Sequence, residues 1–412
     1  MAITTKTEGV WGLDQLYKKA NQDIWKYSSY PKQIFAWGRR WPAGNSLGTN
    51  PNPAGDVSVS SPVQVGSALP GGDVWKAIKK ENNTSGEGWG MAVKNDGTLW
   101  AWGPNSDGAL GLSNKQPKTY PTQIGTKSNW GGNEQLAGAQ YSGFAINTSG
   151  ELYSWGYNSP SYGQLGHNNK SDYTAPQQVG TDSTWSKIRT SPAACIATKT
   201  DGTLWVWGSG SHGMLGLGDD NAYSSPKQIP GTNWGPYICF GNQFGMAVRT
   251  DGTLWTWGTN EYGQLGQNGP PNGKKSSPIQ IGTGTDWSKV GANDTAAYGI
   301  KTDGTLWAWG QNEGGCLGQN QSVQSQEWYS SPVQVGTDTN WKEVDGLPSD
   351  SVMATKTDGT LWAWGRNWHG QLGQNESSGG PTPAAYSSPV QIPGTWGNIG
   401  QGQYMAFAIR KI

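Results

Sequence analysis

Few side chains in this sequence have the types and spacing that catalysis needs. The three histidines, His167, His212 and His369, each sit in a different copy of a Gly-rich turn, where a solvated surface role is expected. They do not form an HExxH pair, and no carboxylate recurs beside them to orient a ring. Cys195, Cys239 and Cys316 are isolated and odd in number, which fits buried free thiols rather than disulfides or a metal site. There is no GxSxG elbow and no phosphate loop. Asp107, Glu261 and Glu313 fall in corresponding turn slots, where a lyase or glycosidase would place its carboxylates, but they vary in position and type. Asp96, Asp201, Asp251, Asp303 and Asp358 recur as a set, with Ser149 in a sixth place. A ring of carboxylates suits a cation, yet each precedes a Gly, and a turn role accounts for all of them. The reading is a protein that is not an enzyme and that uses no cofactor and no metal.

What remains is recognition chemistry. Between each Trp-Gly pair and the next "GQLG"-type turn lies a slot whose sequence varies while its frame does not. It reads "RRWPA" after Gly38, "YNSPSY" after Gly156, "TNEY" after Gly258 and "RNWH" after Gly365. If the repeats close into a ring, the first and last become neighbours. Arg39, Arg40 and Trp41 then stand beside Arg366, Trp368 and His369, and Arg with aromatic rings is a common interface anchor. The longest inserts, 44–60, 79–90, 319–330 and 374–387, include Trp328 and Tyr329. These eight residues form the candidate partner-binding set.

The elements that must carry them repeat strictly. "DGTLWAWG" stands at 96–103, 303–310 and 358–365, and Trp-Gly pairs fall at 37–38, 102–103, 155–156, 207–208, 257–258, 309–310 and 364–365. A period of roughly 50 to 65 residues points to a propeller or solenoid. In the unit 245–290, "GMAVRT" and "TLWTWG" read as strands joined by Asp251-Gly252 in a two-residue type I′ turn. "SPIQIG" is a third strand whose Pro suits an edge, and "DWSKV" supplies a fourth. Leu254 and Thr256 face one way, Trp255 and Trp257 the other, and neither face carries charge, so both must be covered. The Trp-x-Trp pairs read as core that fills the wedge between blades. "QIFAWG" (33–38) matches the strand after Asp-Gly, and "MAFAIRKI" (405–412) the strand before it. Their pairing closes the last blade. The fold expected is an all-β, seven-bladed propeller over 31–412, preceded by an arm over 1–30.

"DGTLWAWGxNxxGQLG", followed by "SPxQIG" and a "WxxV" strand, resembles the repeats of the regulator-of-chromosome-condensation family in all seven units. The resemblance implies a seven-bladed propeller. The family's name-giving members act on a small GTPase at chromatin. The usual "GxxH" before the inner strand is replaced here by "GAQYSGFAI", "GNQFGMAV" and "GQGQYMAFAI". The near-identical, Trp-rich repeats look more like the family's bacterial and viral members, which include a secreted inhibitor of β-lactamase.

Bulk properties narrow the partners. Over 412 residues, 29 Lys plus Arg balance 29 Asp plus Glu, so no net field attracts nucleic acid. No apolar run spans a membrane, and the N-terminus lacks the apolar segment of a secretory signal. In the arm, Leu13, Leu16, Tyr17 and Ile24 take helical spacing, and Trp11 adds a further apolar anchor, so the arm reads as a docking helix. "GVWGLDQLY" also resembles short segments of tailed-bacteriophage structural proteins. The first functional expectation is accordingly a structural or attachment protein of a virion. Its arm would join neighbouring subunits, and a propeller face would meet a host-surface or protein ligand. The alternative is a cytoplasmic interaction module, a scaffold or inhibitor. Deleting residues 2–30 separates them: co-purification should show a folded propeller lost from its particle in the first case, and unchanged partner binding in the second.

Overall fold

A computed structural model describes residues 33–40, 47–48, 57–65, 75–80, 88–321, 328–347, 350–376, 385–402 and 404–410. Trp11, Leu13, Leu16, Tyr17, Ile24 and Trp41 lie outside them. Seven four-stranded antiparallel sheets form the seven expected blades. Blade 5 is representative. Its strands are Trp234–Phe240, Phe244–Arg249, Leu254–Thr259 and Lys274–Gln280, in that spatial order from the axis outward. The inner strands of blades 1 to 7 are Trp396–Gly402, Trp75–Lys80, Leu136–Ala139, Trp185–Thr190, Trp234–Phe240, Trp287–Ala292 and Trp341–Leu347. Each touches the next around the ring.

This order corrects the expected blade. The "DWSKV" strand, Trp287–Ala292, does not add a fourth strand to the sheet that precedes it. It crosses over and becomes the inner strand of blade 6. The hairpins also differ from the expectation. Gly252 N–H donates to Arg249 O and Arg249 N–H to Thr253 O, which makes a three-residue loop. Only the Gly takes positive φ, at 80°. That is the signature of a turn closed by a left-handed Gly, not of a type I′ pair. A Cβ on Gly252 would lie 2.0 Å from Thr285 O, so the position excludes other residues. Asp251 Oδ1 accepts from the Thr253 N–H and hydroxyl, and the Thr253 hydroxyl accepts from Trp255 Nε1–H. The same relay recurs from Asp96, Asp201, Asp303 and Asp358, which is why Asp, Thr and Trp travel together.

The two aromatic positions of each repeat, filled by two Trp in five of the seven, have different jobs. The second, at 37, 102, 155, 207, 257, 309 and 364, is fully buried. In six of these, the indole N–H donates to a turn carbonyl of the preceding blade, as Trp257 Nε1 does to Met214 O at 2.8 Å. The first Trp is half-buried and is braced from outside. Arg249 lies 4.0 Å from the Trp255 ring and 4.5 Å from the Trp234 ring. Lys94, Lys199, Lys301 and Lys356 take the same place between two indoles. These cations cover hydrophobic surface with their stems and bind the ring faces with their heads.

Blade 1 is made from both ends of the described chain. Gln33 pairs with Arg410 and Gly38 with Met405, placing Met405–Arg410 between Gln33–Arg40 and Trp396–Gly402. Met405, Ala406, Phe407, Ala408 and Ile409 are buried. Burying Met, Phe and Ile contributes about 6 kcal/mol, a large share of the stability of an ordinary domain. Removing residues 405–412 should therefore abolish cooperative thermal unfolding of the whole ring, as scanning calorimetry would register.

Candidate functional site

Each blade presents its slot at the Trp-Gly end of its third strand; at the opposite end lies an Asp-Gly turn in blades 2 and 4 to 7, Ser149-Gly150 in blade 3, and the two ends of the closing strand pair in blade 1. The slot begins at a Gly of positive φ. Gly365, at φ 95°, could carry no Cβ, because the atom would sit 2.1 Å from Asp350 O. A buried Asn two residues on fixes the next turn. Asn367 Oδ1 accepts from Leu372 N–H at 3.0 Å, and Asn105, Asn158, Asn260 and Asn312 do the same in their blades. The side chains between these fixed points are left to vary on a rigid scaffold, which is where binding residues concentrate.

The slots of blades 6, 7 and 1 run together. Arg366 reaches back to Glu313 of blade 6 and holds Asp350 at 3.1 Å. Its guanidinium stacks on Trp368 at 4.2 Å. His369 meets the Tyr404 ring edge-on at 4.7 Å, and Arg39 lies 6.0 Å from the same ring. Closure thus brings Arg39, Arg366, Trp368 and His369 onto one face, with Tyr404 as the bridge. Arg40 continues the Gln33–Arg40 strand at its slot end. Trp328, at the slot end of blade 6, is 50% exposed, and Trp368 is 36% exposed. Tyr329 differs: its ring packs into the blade core and its hydroxyl bonds Gln321. His167 also departs from the surface expectation. It is half-buried, its Nε2 lies 2.8 Å from Ser154 Oγ, and burial holds its pKa below the ordinary value. The three cysteines are buried free thiols, as their isolation suggested.

The regulator of chromosome condensation (RCC1) repeat model matches residues 96–135, 149–194, 201–248, 251–294 and 303–345. That is more than half of the chain. The chain belongs to the RCC1 repeat family. A second model of this repeat matches 237–264. The human E3 ubiquitin-protein ligase HERC2 is 30% identical over 146 residues, 35% of this chain and 3% of the ligase. The ultraviolet-B receptor UVR8 of Arabidopsis thaliana is 28% identical over 153 residues, 37% of this chain and 31% of the receptor. The chain therefore spans less than a third of each of these relatives. Among solved structures, Prp20p of Saccharomyces cerevisiae superposes with a TM-score of 0.74 at 17% identity, covering 96% of this chain and 95% of that one. Human WBSCR16 gives 0.75 at 18%, covering 92% and 99%. At such identities the structures establish the fold.

This RCC1 propeller has a second feature that its motifs did not announce. All seven blades contribute to an axial channel of about 150 Å³ whose lining includes Lys79, Glu134, Arg189, Tyr237, Cys239 and Asp345. Arg189 Nη2 donates to Glu134 Oε2 at 2.7 Å, and Lys187 stands 3.9 Å from the same carboxylate. Burial opposes ionisation of Glu134, but Arg189, Lys79 and Lys187 overcome it and hold the carboxyl down at about 2. The sequence signal was charge within the inner strands, at Lys79 in "WKAIKK", Lys187 and Arg189 in "WSKIRT", and Glu343 and Asp345 in "WKEVDG".

Beside the slot cluster, burial raises Asp294 to about 7. Burial and the Asp294 charge raise Asp350 likewise to about 7, and Arg366 Nη1 at 3.1 Å opposes that rise. Because the folded pKa of Asp294 exceeds the ordinary 3.8, folding loses stability as pH climbs from about 4 to 7, and the loss levels off above 7. Asp294→Asn removes that cost. It should stabilise the protein by about 1 kcal/mol at pH 8, partial exposure discounting the full shift, and by less at pH 5. Urea unfolding at the two pH values measures the difference.

Proposed function

We propose that this RCC1 propeller is a non-enzymatic protein-interaction module that meets its partner with the slot face of blades 6, 7 and 1. The observation that carries this reading is the joined cluster of Arg366, Trp368, His369, Tyr404 and Arg39 beside exposed Trp328, all held on a frame that does not vary. Exposed Trp rings on a rigid base are efficient anchors, because little side-chain entropy is lost when they are covered. The fold relatives support it. Prp20p is described with binding properties to Gsp1p and histones, and yeast RCC1 has been seen bound by Kap60. Arg366 is already neutralised by Glu313 and Asp350, so the partner gains from its planar stacked surface more than from its charge.

Attachment to a virion through residues 1–30 is the second reading, and it rests on the arm's resemblance to phage segments. The named relatives, a receptor, a ligase and Prp20p, favour the interaction reading over it. A bacterial or viral origin of the repeats and a virion or cytoplasmic location belong to the same pair of proposals.

The test uses the full chain, tagged at one end, in its source cells. Quantitative mass spectrometry of cross-linked complexes should show a partner at fixed ratio. The double variant Trp328→Ala, Trp368→Ala should weaken that partner about tenfold or more, while Lys342→Ala at the opposite face leaves it unchanged. Equal retention by both variants would remove the slot face as the interface.

A further inference from the structure

We propose that the axial channel holds a small oxyanion, a carboxylate or inorganic phosphate, between Lys79 and Arg189. The proposal is independent of the slot-face reading.

Charged side chains from blades 2, 3, 4, 6 and 7 converge in the channel. Lys79 stands on the inner strand of blade 2, Lys187 and Arg189 on that of blade 4 and Lys289 on that of blade 6. Glu134 precedes the inner strand of blade 3, and Glu343 and Asp345 lie on that of blade 7. Of these, Lys79, Arg189 and Lys289 line the channel together with Glu134, Glu343 and Asp345. The carboxylates do not consume the cationic donors. Glu134 takes Arg189 and Lys187. Lys289 lies over the Tyr237 ring at 4.0 Å. Arg189 spends one N–H on Glu134 and one on Ile188 O, which leaves three of its five donors without a bond among the described residues.

Lys79 is the more telling group. No hydrogen bond or ion pair within 4 Å reaches its ammonium among the described residues, although it lines the channel. Burial, with the Arg189 charge, pushes its pKa below the ordinary value, and Asp345, Glu134 and Glu343 oppose that fall without reversing it. Two like charges sharing one channel call for an anion between them, and Glu134, which acts on both, is bonded to Arg189 and paired with Lys187 rather than with Lys79. Asp345 acts on Lys79 across the channel without a hydrogen bond or ion pair to it. An oxyanion supplies several acceptor lone pairs in one small volume, which matches the donors left over on Arg189 and Lys79.

The channel volume, about 150 Å³, admits a group of phosphate or acetate size. The guanidinium's remaining donors favour a planar two-oxygen contact, and the ammonium favours a point contact.

The experiment titrates the full-length protein with sodium phosphate or sodium acetate at constant ionic strength, with sodium chloride as reference. Isothermal titration calorimetry should give a millimolar constant for at least one of the two, and the melting temperature should rise by about 2 °C near saturation. Phosphate alone acting identifies an inorganic or phosphoryl ligand, and acetate alone a carboxylate. In Lys79→Met, and in Lys79→Gln as a second charge-free variant, affinity should fall at least tenfold. The Arg189 Nε–H resonance of the wild type should move during the titration, which locates the ion even if both variants fail to fold. The proposal is overturned if neither anion exceeds chloride, if a folded variant binds as tightly as wild type, or if the Arg189 signal stays fixed.

Discussion

The ring stands on an indole N–H. Each second Trp of a repeat is buried between two blades, and an indole brings one polar hydrogen that must be satisfied there. The preceding blade offers the carbonyl inside its "GQLG"-type turn, at 2.8 to 2.9 Å in the six pairs from Trp37 to Trp364. One contact therefore fixes two things at once. It sets the angle between neighbouring blades, and it sets the shape of the turn from which the slot hangs. Replacing the ring by another large apolar side chain would fill the wedge but strand the carbonyl. This dual demand explains why Trp, rather than Leu or Phe, recurs at every unit.

The slots can vary because they carry none of that load. Asn367, Asn312 and their counterparts anchor the turn from beneath, and the Gly after each Trp lets the strand leave its sheet at a positive φ. Side chains such as Arg366, Trp368 and His369 then project from fixed points. Their contacts cross blade boundaries: Arg366 to Glu313 and His369 to Tyr404. The face is thereby one connected surface rather than separate loops. Within blade 3, where the relay changes, the pattern compensates. Tyr153 replaces the first Trp, its hydroxyl donates to Glu151 at 2.9 Å, and Lys127 covers its ring at 4.2 Å from the loop that leads into the blade.

The sequence made the blade number, the covered faces and the closing strand pair readable, because each follows from a local pattern repeated in register. Blade membership of the "WxxV" strand was harder. Nothing local marks that the chain after "SPIQIG" leaves one sheet for the next, since the crossover is set by packing around the axis. The turn type was hidden for a related reason. Asp-Gly suits a two-residue turn, but the Thr that follows offers its hydroxyl and N–H to the Asp, and this selects the longer loop. At the site, the slot positions were visible as variable stretches, whereas Tyr404 was not, because it belongs to the loop before a different strand. The channel charges were visible as residues and invisible as a cluster, since only ring closure brings Lys79, Glu134, Arg189 and Asp345 together.

Closure by Met405–Arg410 also governs how the molecule is reached from the unfolded chain. Blades 2 to 7 are each built from contiguous sequence, so their contacts are short-range and can form in turn. Blade 1 joins Gln33 to Arg410, the strand pairing most distant in sequence among the described residues. Its loop-closure entropy is met only after the other six blades have set the distance between those ends. Folding is thus a nearly linear assembly with one late, non-local step, and until that step the Trp37 indole has no blade to lean on.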